Sequence, residues 1–503
     1  TIQEKKAGQA VIAAVVSFEV SHSESKRAGF GGGKGKAQMS GLARSTSAGS
    51  RVRSMAQARV AWYSTVSAVS RTPVSAQLWN LITGRKALKQ NATRPPTDFV
   101  PKSPADSRVS IDLPLASDPA LKSEYLSFRG GVRFGKILED LDLFAAYTAL
   151  SHCDDGNPET YPHTLVTACI DRVDLRRDLT MRQHDMVFHG YATWTGRTSL
   201  QVNIDLVASD VPDRDALQLS GSLVFVGVGR DGKGMPVNPL APQTEKERRL
   251  CAEGEMAQAR RKYRKRTCLA TSAPSDAESD LLHRVMSEGS LRRGAVPMAE
   301  TRMQSVHTMQ PQERNYYGKI FGGFLMREAY EIALTAANAF ATGAGGGRRG
   351  GCPTLVAMDD VTFNQPVNVG DVVSLVARVV YTGGNEVLLA PAGARETGLY
   401  QVRVDIGIIN LGTGERSLSN TFHFTFLNRS PEAAKDGACL AVPVPPVMPS
   451  TYKEGMEWLG GRRRMLESLR FAESLGSFAA HPTLLPREPH LPVREFRAEA
   501  PIP

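Results

Sequence analysis

Long apolar runs are missing from this chain of 503 residues. A helix that crosses a lipid bilayer needs about 18 or more predominantly apolar residues in a row. The best candidate, Ala10–Phe18, is far too short, so we expect no membrane span. The hydrophobic content of 41% is still ample for the buried cores of two or three domains.

Cysteines with the paired spacing of a disulfide framework or a zinc site are also missing. The six cysteines are scattered singly, so we expect reduced thiols. The ten histidines form no metal-ligand cluster, and a structural role is the preferred interpretation of the four that lie near one another. We predict no metal and no cofactor. The cysteines are Cys153, Cys169, Cys251, Cys268, Cys352 and Cys439, and the four histidines are His152, His163, His184 and His189.

Acidic residues are absent between Ser25 and Thr97, where thirteen lysines and arginines occur. These thirteen account for the net charge of +10, because the other residues comprise 48 basic and 51 acidic ones. A basic excess confined to one segment argues against nucleic acid as a partner.

The same segment is rich in arginine and serine and has an amphipathic stretch at Arg51–Thr65, which is typical of an organelle transit peptide. A disordered tail is the alternative. Met39 suits the start of such a peptide, so residues 1–38 are expected to be an upstream extension of the assigned reading frame rather than part of that peptide. We exclude residues 1–100 from the predicted fold.

Helix and strand patterns occur twice in the same order. A helix predicted at Phe134–Cys153 by its 3.6-residue apolar period is followed by β-rich runs, and a second helix at Gly322–Phe340 is followed by another set. A repeat of about 180 residues is too long for a solenoid unit and suits two fused copies of one domain. The predicted strands are Thr164–Val173, Met186–Trp194, Ser199–Val207 and Leu217–Val228, then Thr354–Phe363, Val372–Tyr381, Glu386–Leu389, Tyr400–Asn410 and Leu418–Leu427.

A glycine turn before the second helix contains Asn315, Gly318, Gly322 and Gly323. An asparagine before a glycine pair that opens a helix puts a polar side chain beside backbone N–H groups that have no partner in the helix. Such N–H groups can stabilise a developing oxyanion. The turn therefore predicts an active site.

The turn resembles the Asn-x-x-Gly-x-x-x-Gly-Gly pattern of hotdog-fold acyl-coenzyme A thioesterases. Two further segments, Val132–Asp142 and Trp194–Val202, extend the likeness to the mitochondrial double-hotdog subgroup, the acyl-coenzyme A thioesterase 9 type, over roughly residues 128–428. The resemblance implies an α+β tandem hotdog fold, with a long antiparallel sheet wrapped round a central helix in each copy. It also implies hydrolysis of fatty acyl-coenzyme A to free fatty acid and coenzyme A.

The domain organisation follows from the repeat and the composition. We expect a basic segment at residues 1–100, hotdog domains at 101–242 and 301–430, a helical linker at 243–300, and a Pro-rich tail at 431–503. Within the linker, Thr244–Thr267 has early acidic and late basic residues, which favours a helix. A solvated linker helix is preferred over a phosphate contact at its basic end.

The resemblance also implies which residues react. Asn315 matches the family's asparagine, and Asp142, seven residues after Gly135, matches a carboxylate that acts as base or nucleophile. Gly322 and Gly323 would supply the oxyanion site. If the register differs, Glu139 or Asp140 would be the carboxylate, and a solvated Asp142 without a catalytic role is the remaining alternative.

The reciprocal site lacks both groups. Residues 129–134 contain no asparagine, and Tyr330 stands where a second aspartate would be. We therefore expect one working site in this chain.

Binding of the coenzyme A phosphates is assigned to the predicted turn with Arg197, Thr198 and Ser199, because an arginine and small hydroxyls can bind phosphate oxygens. Arg348 and Arg349, on a glycine-rich loop, are weaker candidates. Core packing is preferred to a role in the acyl pocket for three apolar side chains of the turn and second helix, namely Phe321, Phe324 and Met326.

Two other functions remain open. The chain could be a non-catalytic hotdog subunit that binds acyl-coenzyme A or supports a mitochondrial assembly, or a hotdog dehydratase. The dehydratase is disfavoured because no histidine lies near the glycine turn to act as its base. The expected partners are the acyl-coenzyme A substrate and further copies of the chain, and the expected location is the mitochondrial matrix.

Overall fold

The structure is a computed structural model. It describes residues 72–89, 91–176, 184–209, 211, 216–288, 294–315, 317–343, 351–383, 398–430 and 441–475. Residues 1–71 of the segment predicted to be a transit peptide, the strand predicted at Glu386–Leu389, Arg348, Arg349 and Cys439 lie outside these residues. Among the described residues, no helix combines the length and the apolar character that crossing a bilayer takes.

Seven helices are described in these parts of the chain. They are α1 (Pro73–Leu88), α2 (Pro119–Glu124), α3 (Phe134–Cys153), α4 (Glu245–Arg266), α5 (Asp276–Glu288), α6 (Gly322–Gly343) and α7 (Tyr452–Leu475), with short 3₁₀ turns at Met298–Thr301 and Pro311–Glu313.

The strands form one large sheet and one small one. In the first half they are β1 (Val109–Leu113), β2 (Thr164–Leu175), β3 (Met186–Thr195), β4 (Ser199–Ala208) and β5 (Leu217–Val228). Those that follow are β6 (Val296–Pro297), β7 (Met303–Thr308), β8 (Cys352–Phe363), β9 (Val372–Thr382), β10 (Leu399–Ile409), β11 (Arg416–Arg429) and β12 (Val447–Met448). The pair β6 and β12 is separate and parallel.

The large sheet has ten strands in the order β1-β3-β4-β5-β2-β8-β11-β10-β9-β7. The two halves have the same internal order and meet at β2 and β8, which pair antiparallel with Ile170 opposite Val361. This arrangement confirms the α+β tandem hotdog fold.

The central helices α3 and α6 pack against each other on one face of the sheet. Their inward side chains, such as Leu141 and Phe144 of α3 and Met326 of α6, are fully buried. Both helices begin where the sequence predicted, because their apolar stripes are long and regular. Phe321, Phe324 and Met326 are all buried, and Phe321 also lines the site described below.

The exclusion of residues 1–100 from the fold is wrong for its last part. Helix α1 lies against α3 and buries Val74, Leu78 and Ile82, which recur every four residues and therefore share one face. The acid-free composition of this region concealed that apolar face.

The opposite face of the sheet is covered by α4 and α7, which lie against β3 and against β9 and β10, respectively. Helix α4 confirms the helix predicted in the linker. It starts with a capping box, in which the side chains of Thr244 and Glu247 each accept a backbone N–H of the other residue. The prediction of a Pro-rich tail at residues 431–503 was incomplete. Helix α7 lies in this range and buries Trp458 and Leu459.

Candidate active site

A cavity of about 150 Å³ lies where the two halves meet. It brings together Asp142 from α3, Asn315 from the glycine turn and Gly322 at the start of α6. Asp142 and Asn315 are 173 positions apart in the chain. The cavity therefore has walls from both hotdog units, as a composite site requires.

Asp142 is withdrawn from water, with only 3% of its surface exposed. Its carboxylate accepts the backbone N–H of Gly323, and the Thr167 hydroxyl lies 3.4 Å from Oδ1. Burial raises the pKa of Asp142 to about 6, although both hydrogen bonds act in the opposite direction. At neutral pH the group is thus largely ionised, and it is a stronger base than an exposed carboxylate.

Gly322 and Gly323 lie so close to neighbouring atoms that a side chain at either position would not fit. A methyl group on Gly322 would lie 2.9 Å from Asp142 Oδ2. One on Gly323 would lie 2.6 Å from the Phe321 ring and 3.0 Å from Glu139 Cα. Larger residues would therefore push α3 and its carboxylate away from the N-terminus of α6, where the helix dipole favours negative charge.

Asn315 is oriented by its own turn. Its Oδ1 accepts the backbone N–H groups of Tyr317 at 2.9 Å and Lys319 at 3.1 Å. Because both partners are donors, the accepting atom must be the oxygen, and the amide NH₂ is the group that remains as a donor. Gly318 makes the turn possible with a φ of 75°, which side chains disfavour.

The other two carboxylates considered on α3 have different partners. Asp140 is fully buried and accepts hydrogen bonds from the hydroxyls of Thr72, Ser75 and Tyr125. Glu139 forms an ion pair with Arg327 of α6 at 2.7 Å. Neither lines the cavity, whereas Asp142 does.

The mirror position in the second half is packed with apolar side chains. Tyr330 of α6 is buried, and its ring meets that of Phe134 edge-on at 5.2 Å. A methyl group on Gly135 would lie 2.9 Å from side-chain atoms of Arg327 and Glu331. This position therefore differs from the Asp142 side in both its chemical groups and its packing.

The residues assigned to coenzyme A phosphates are not on the cavity. Arg197, Thr198 and Ser199 lie at the turn between β3 and β4, where the carbonyl of Thr198 accepts the Gly227 N–H. Their assignment stays a prediction. The cation that does line the cavity is Lys319, whose Nζ donates to Asn368 Oδ1 at 2.7 Å.

The sequence analysis missed Thr167, Lys319 and the α1 side chains Trp79 and Ile82, which all line the cavity. Thr167 lies inside a strand, where alternation indicates only which face a side chain occupies. Lys319 lies within the glycine turn, and this position in the sequence was the one sign that it could line the site. Trp79 and Ile82 reach the cavity only because α1 packs against α3, and the sequence gives no sign of that packing.

Two of the histidines have structural contacts. His152 Nε2 lies 2.9 Å from the carbonyl oxygen of Asn238, and His163 Nε2 lies 3.0 Å from that of Pro236. Within the described residues, no group of three or more histidine, cysteine, aspartate or glutamate side chains could hold a metal ion.

Known proteins resemble this chain over most of its length. It is 32% identical over 375 residues to mouse acyl-coenzyme A thioesterase 9, mitochondrial, a match that spans 72% of this chain and 78% of the mouse protein. It is 31% identical over 417 residues to acyl-coenzyme A thioesterase 2, chloroplastic, of Humulus lupulus, spanning 79% and 88% of the two chains. The thioesterase superfamily model matches residues 317–387.

The solved structures that resemble part of this chain include that of an acyl-CoA hydrolase from Bacillus cereus. That match spans 36% of this chain and 94% of the bacterial one, with 25% sequence identity and a TM-score of 0.29.

Proposed function

The chain belongs to the acyl-coenzyme A thioesterases and is a thioester hydrolase, and from this premise we propose that it hydrolyses fatty acyl-coenzyme A at one composite site. The observation that supports this proposal is the shared cavity of Asp142 and Asn315 at the start of α6. A buried carboxylate, an oriented amide and helix N–H groups are the parts that the reaction needs.

In the proposed reaction, Asp142 takes a proton from a water molecule, and the water oxygen attacks the thioester carbonyl carbon. The Gly322 N–H at the start of α6 stabilises the negative charge on the carbonyl oxygen, while the Gly323 N–H stays bonded to the Asp142 carboxylate. Asn315 orients the water or the carbonyl through its NH₂ group. The carbon–sulfur bond then breaks, and the coenzyme A thiolate takes the proton from Asp142.

The proposed base role is distinguishable from direct attack by Asp142. Attack by the carboxylate would form an anhydride, and water that cleaves it at the Asp142 carbon would leave its oxygen in the side chain. We expect no ¹⁸O in Asp142 after many turnovers in labelled water, measured by mass spectrometry of its peptide. Labelled Asp142 would establish the nucleophile instead.

The composite site is tested by two substitutions and their combination. Asp142→Asn and Asn315→Ala should each lower kcat by about 10²-fold or more, the usual scale for losing such groups. Because both act on one transition state, the double variant should lose far less than the product of the single losses. The release of free thiol from acyl-coenzyme A measures the rate.

Tyr330→Phe, at the mirror position, is the control, and it should be nearly silent. Multiplicative losses would contradict the composite site, and a fully active Asp142→Asn would remove Asp142 from the reaction. The rival function, a non-catalytic acyl-coenzyme A-binding subunit, predicts binding without thiol release on any chain length.

We also propose that the protein acts in the mitochondrial matrix, because the basic segment has transit-peptide character and the mouse relative is named mitochondrial. A reporter fused to residues 39–104 should enter the matrix. Cytosolic signal would contradict this, and plastid signal would favour the location named for the Humulus lupulus relative.

The domain limits of 101–242 and 301–430, with a linker at 243–300 and with α1 added to the first domain, are part of the same proposal, as are coenzyme A contacts from Arg197, Thr198 and Ser199. We further propose a homo-oligomer, and a monomeric mass in solution would overturn that.

A further inference from the structure

The far end of the site cavity is apolar. Beyond Asp142 it runs beside α3, past Ala146 to Leu150, and α1 covers it with Trp79 and Ile82. The polar groups Asn315 and Lys319 lie among the residues contributed by the second half. An acyl chain whose thioester carbonyl lies beside Asp142 would therefore extend toward Leu150 and α1.

Helix α1 is held at both ends, so its side chains form a fixed wall. At its start, the Ser75 hydroxyl donates to Asp140 Oδ1 at 2.6 Å, and Thr72 bonds the same oxygen. Past its end, Lys89 pairs with Asp154 at 2.7 Å and with Asp155 at 2.8 Å.

A second, smaller cavity of about 30 Å³ lies on the other side of Ile82 and Leu150, which line both cavities. Its lining includes Arg85 and the ion pairs of Lys89 with Asp154 and Asp155. An acyl chain that reaches Ile82 and Leu150 is stopped by their side chains, and the cavity beyond them offers a longer chain less apolar surface than the first cavity does.

The length and the volume of the cavity limit the size of the acyl chain that its apolar end can hold. Leu150 is eight residues beyond Asp142 on α3, which is about 12 Å at about 1.5 Å per residue. An extended chain advances about 1.2 Å per bond, so about ten bonds fit. Cavities of this volume hold a molecule as large as benzene, which gives a lower bound of about six carbon atoms.

We propose that Ile82 and Leu150 form the end wall of the acyl site and restrict efficient hydrolysis to chains of about six to ten carbon atoms. This inference rests on the proposed function and specifies its substrate class. Ile82 and Leu150 are specificity-determining residues, and α1 is part of the binding site.

The test measures kcat/KM of the full chain with acetyl-, hexanoyl-, decanoyl- and palmitoyl-coenzyme A. We expect hexanoyl or decanoyl to be best and palmitoyl to be at least about tenfold lower, since its last methylenes find no apolar site. Ile82→Ala should raise the palmitoyl to hexanoyl ratio by about tenfold. Leu150→Ala, on the other helix, should do the same, so the result does not depend on α1 alone.

Leu81→Ala is the matched control, because Leu81 is on α1 but 41% exposed, and it should leave the ratio unchanged. Equal rates for palmitoyl and hexanoyl in the unaltered chain would overturn the proposal. So would Ile82→Ala and Leu150→Ala variants that change all chain lengths by one factor.

Failure of the proposed function gives a different result, namely no hydrolysis of any thioester by the unaltered chain. Calorimetry with non-hydrolysable acyl thioethers of coenzyme A then still tests the wall. Affinity should rise from acetyl to hexanoyl and stop rising beyond decanoyl. A steady rise through palmitoyl would refute the end wall without reference to catalysis.

Discussion

At the scale of single residues, the proposed role of Asp142 as a base depends on its burial. Its surroundings raise its pKa to about 6, while the Gly323 N–H and the Thr167 hydroxyl restrain the rise. The base must be ionised, so kcat should rise as pH increases through about 6 and then level off.

Thr167→Val supplies a sharper version of the pH prediction. It removes a bond that lowers the pKa of Asp142, and the rising limb should therefore move to higher pH. Rate profiles of both proteins across the acid range measure the shift. A limb that stays in place, or moves to lower pH, would contradict the assignment of Asp142 as the titrating base.

Gly322 is the second residue whose role can be tested, because there is no room for a side chain at this position. Gly322→Ala puts a methyl group 2.9 Å from Asp142 Oδ2, so the carboxylate or the start of α6 must shift. We expect kcat to fall by about 10²-fold, the usual effect of misplacing a catalytic group.

Gly84→Ala is the control for this change, because Gly84 is in α1 and, apart from the neighbouring helix backbone, no described atom lies within 4 Å of the added methyl. Alanine inside a helix should stabilise it slightly. Equal activity of the two variants would show that the site tolerates the displacement.

At the scale of elements, the predictions succeeded where patterns were long. The central helices and the long strands had enough residues for their periods to be recognised. Strands β1 and β7 were missed because they have only five and six residues. Helix α1 was missed because its composition resembled a transit peptide.

Asp140 should control the position of α1. Asp140→Asn leaves one acceptor oxygen where three hydroxyls now donate, so the start of α1 should detach from α3. We expect faster hydrogen exchange in residues 73–88, and hydrolysis of hexanoyl-coenzyme A should fall more than that of the acetyl ester.

Asp118→Asn is the corresponding control, because Asp118 caps α2 and asparagine caps helices equally well. Unchanged exchange in α1 of the Asp140→Asn variant would mean that apolar contacts alone hold the helix.

At the scale of the whole molecule, Arg172 joins the two halves and the C-terminal helix. It lies on β2, binds Asp359 of β8 at 2.7 Å, and also donates to Ser468 of α7. Arg172 Nε also contacts Asp174 Oδ1 at 2.7 Å. Arg172→Met should lower the free energy of unfolding by about 3–5 kcal/mol, because Asp174 and Asp359 would remain buried without this cation.

Denaturant unfolding of the full chain measures this loss. Arg94→Met is the control, since Arg94 and Glu159 form an ion pair with side chains that are 74% and 65% exposed. Its effect should stay within about 1 kcal/mol. A similar loss in both variants would contradict a structural role for the join between the halves.

The sequence alone was sufficient for the repeat and for the two central helices. It was insufficient to derive the placement of Asp142 and Asn315 on one cavity, which was implied by a family resemblance, because no local pattern encodes the proximity of residues so far apart. The wall made by α1 and the hydroxyl of Thr167 depend likewise on packing across elements.

The docking of α1 has a consequence for maturation. If an import signal is removed after delivery, the processing protease must cut upstream of Thr72, because Thr72 is bound to Asp140 and the next residue begins α1. A cut only twenty residues further on would release Trp79 and Ile82 with the signal. With α1 as the proposed end wall of the acyl site, the position of this cut would then affect which acyl chains are hydrolysed.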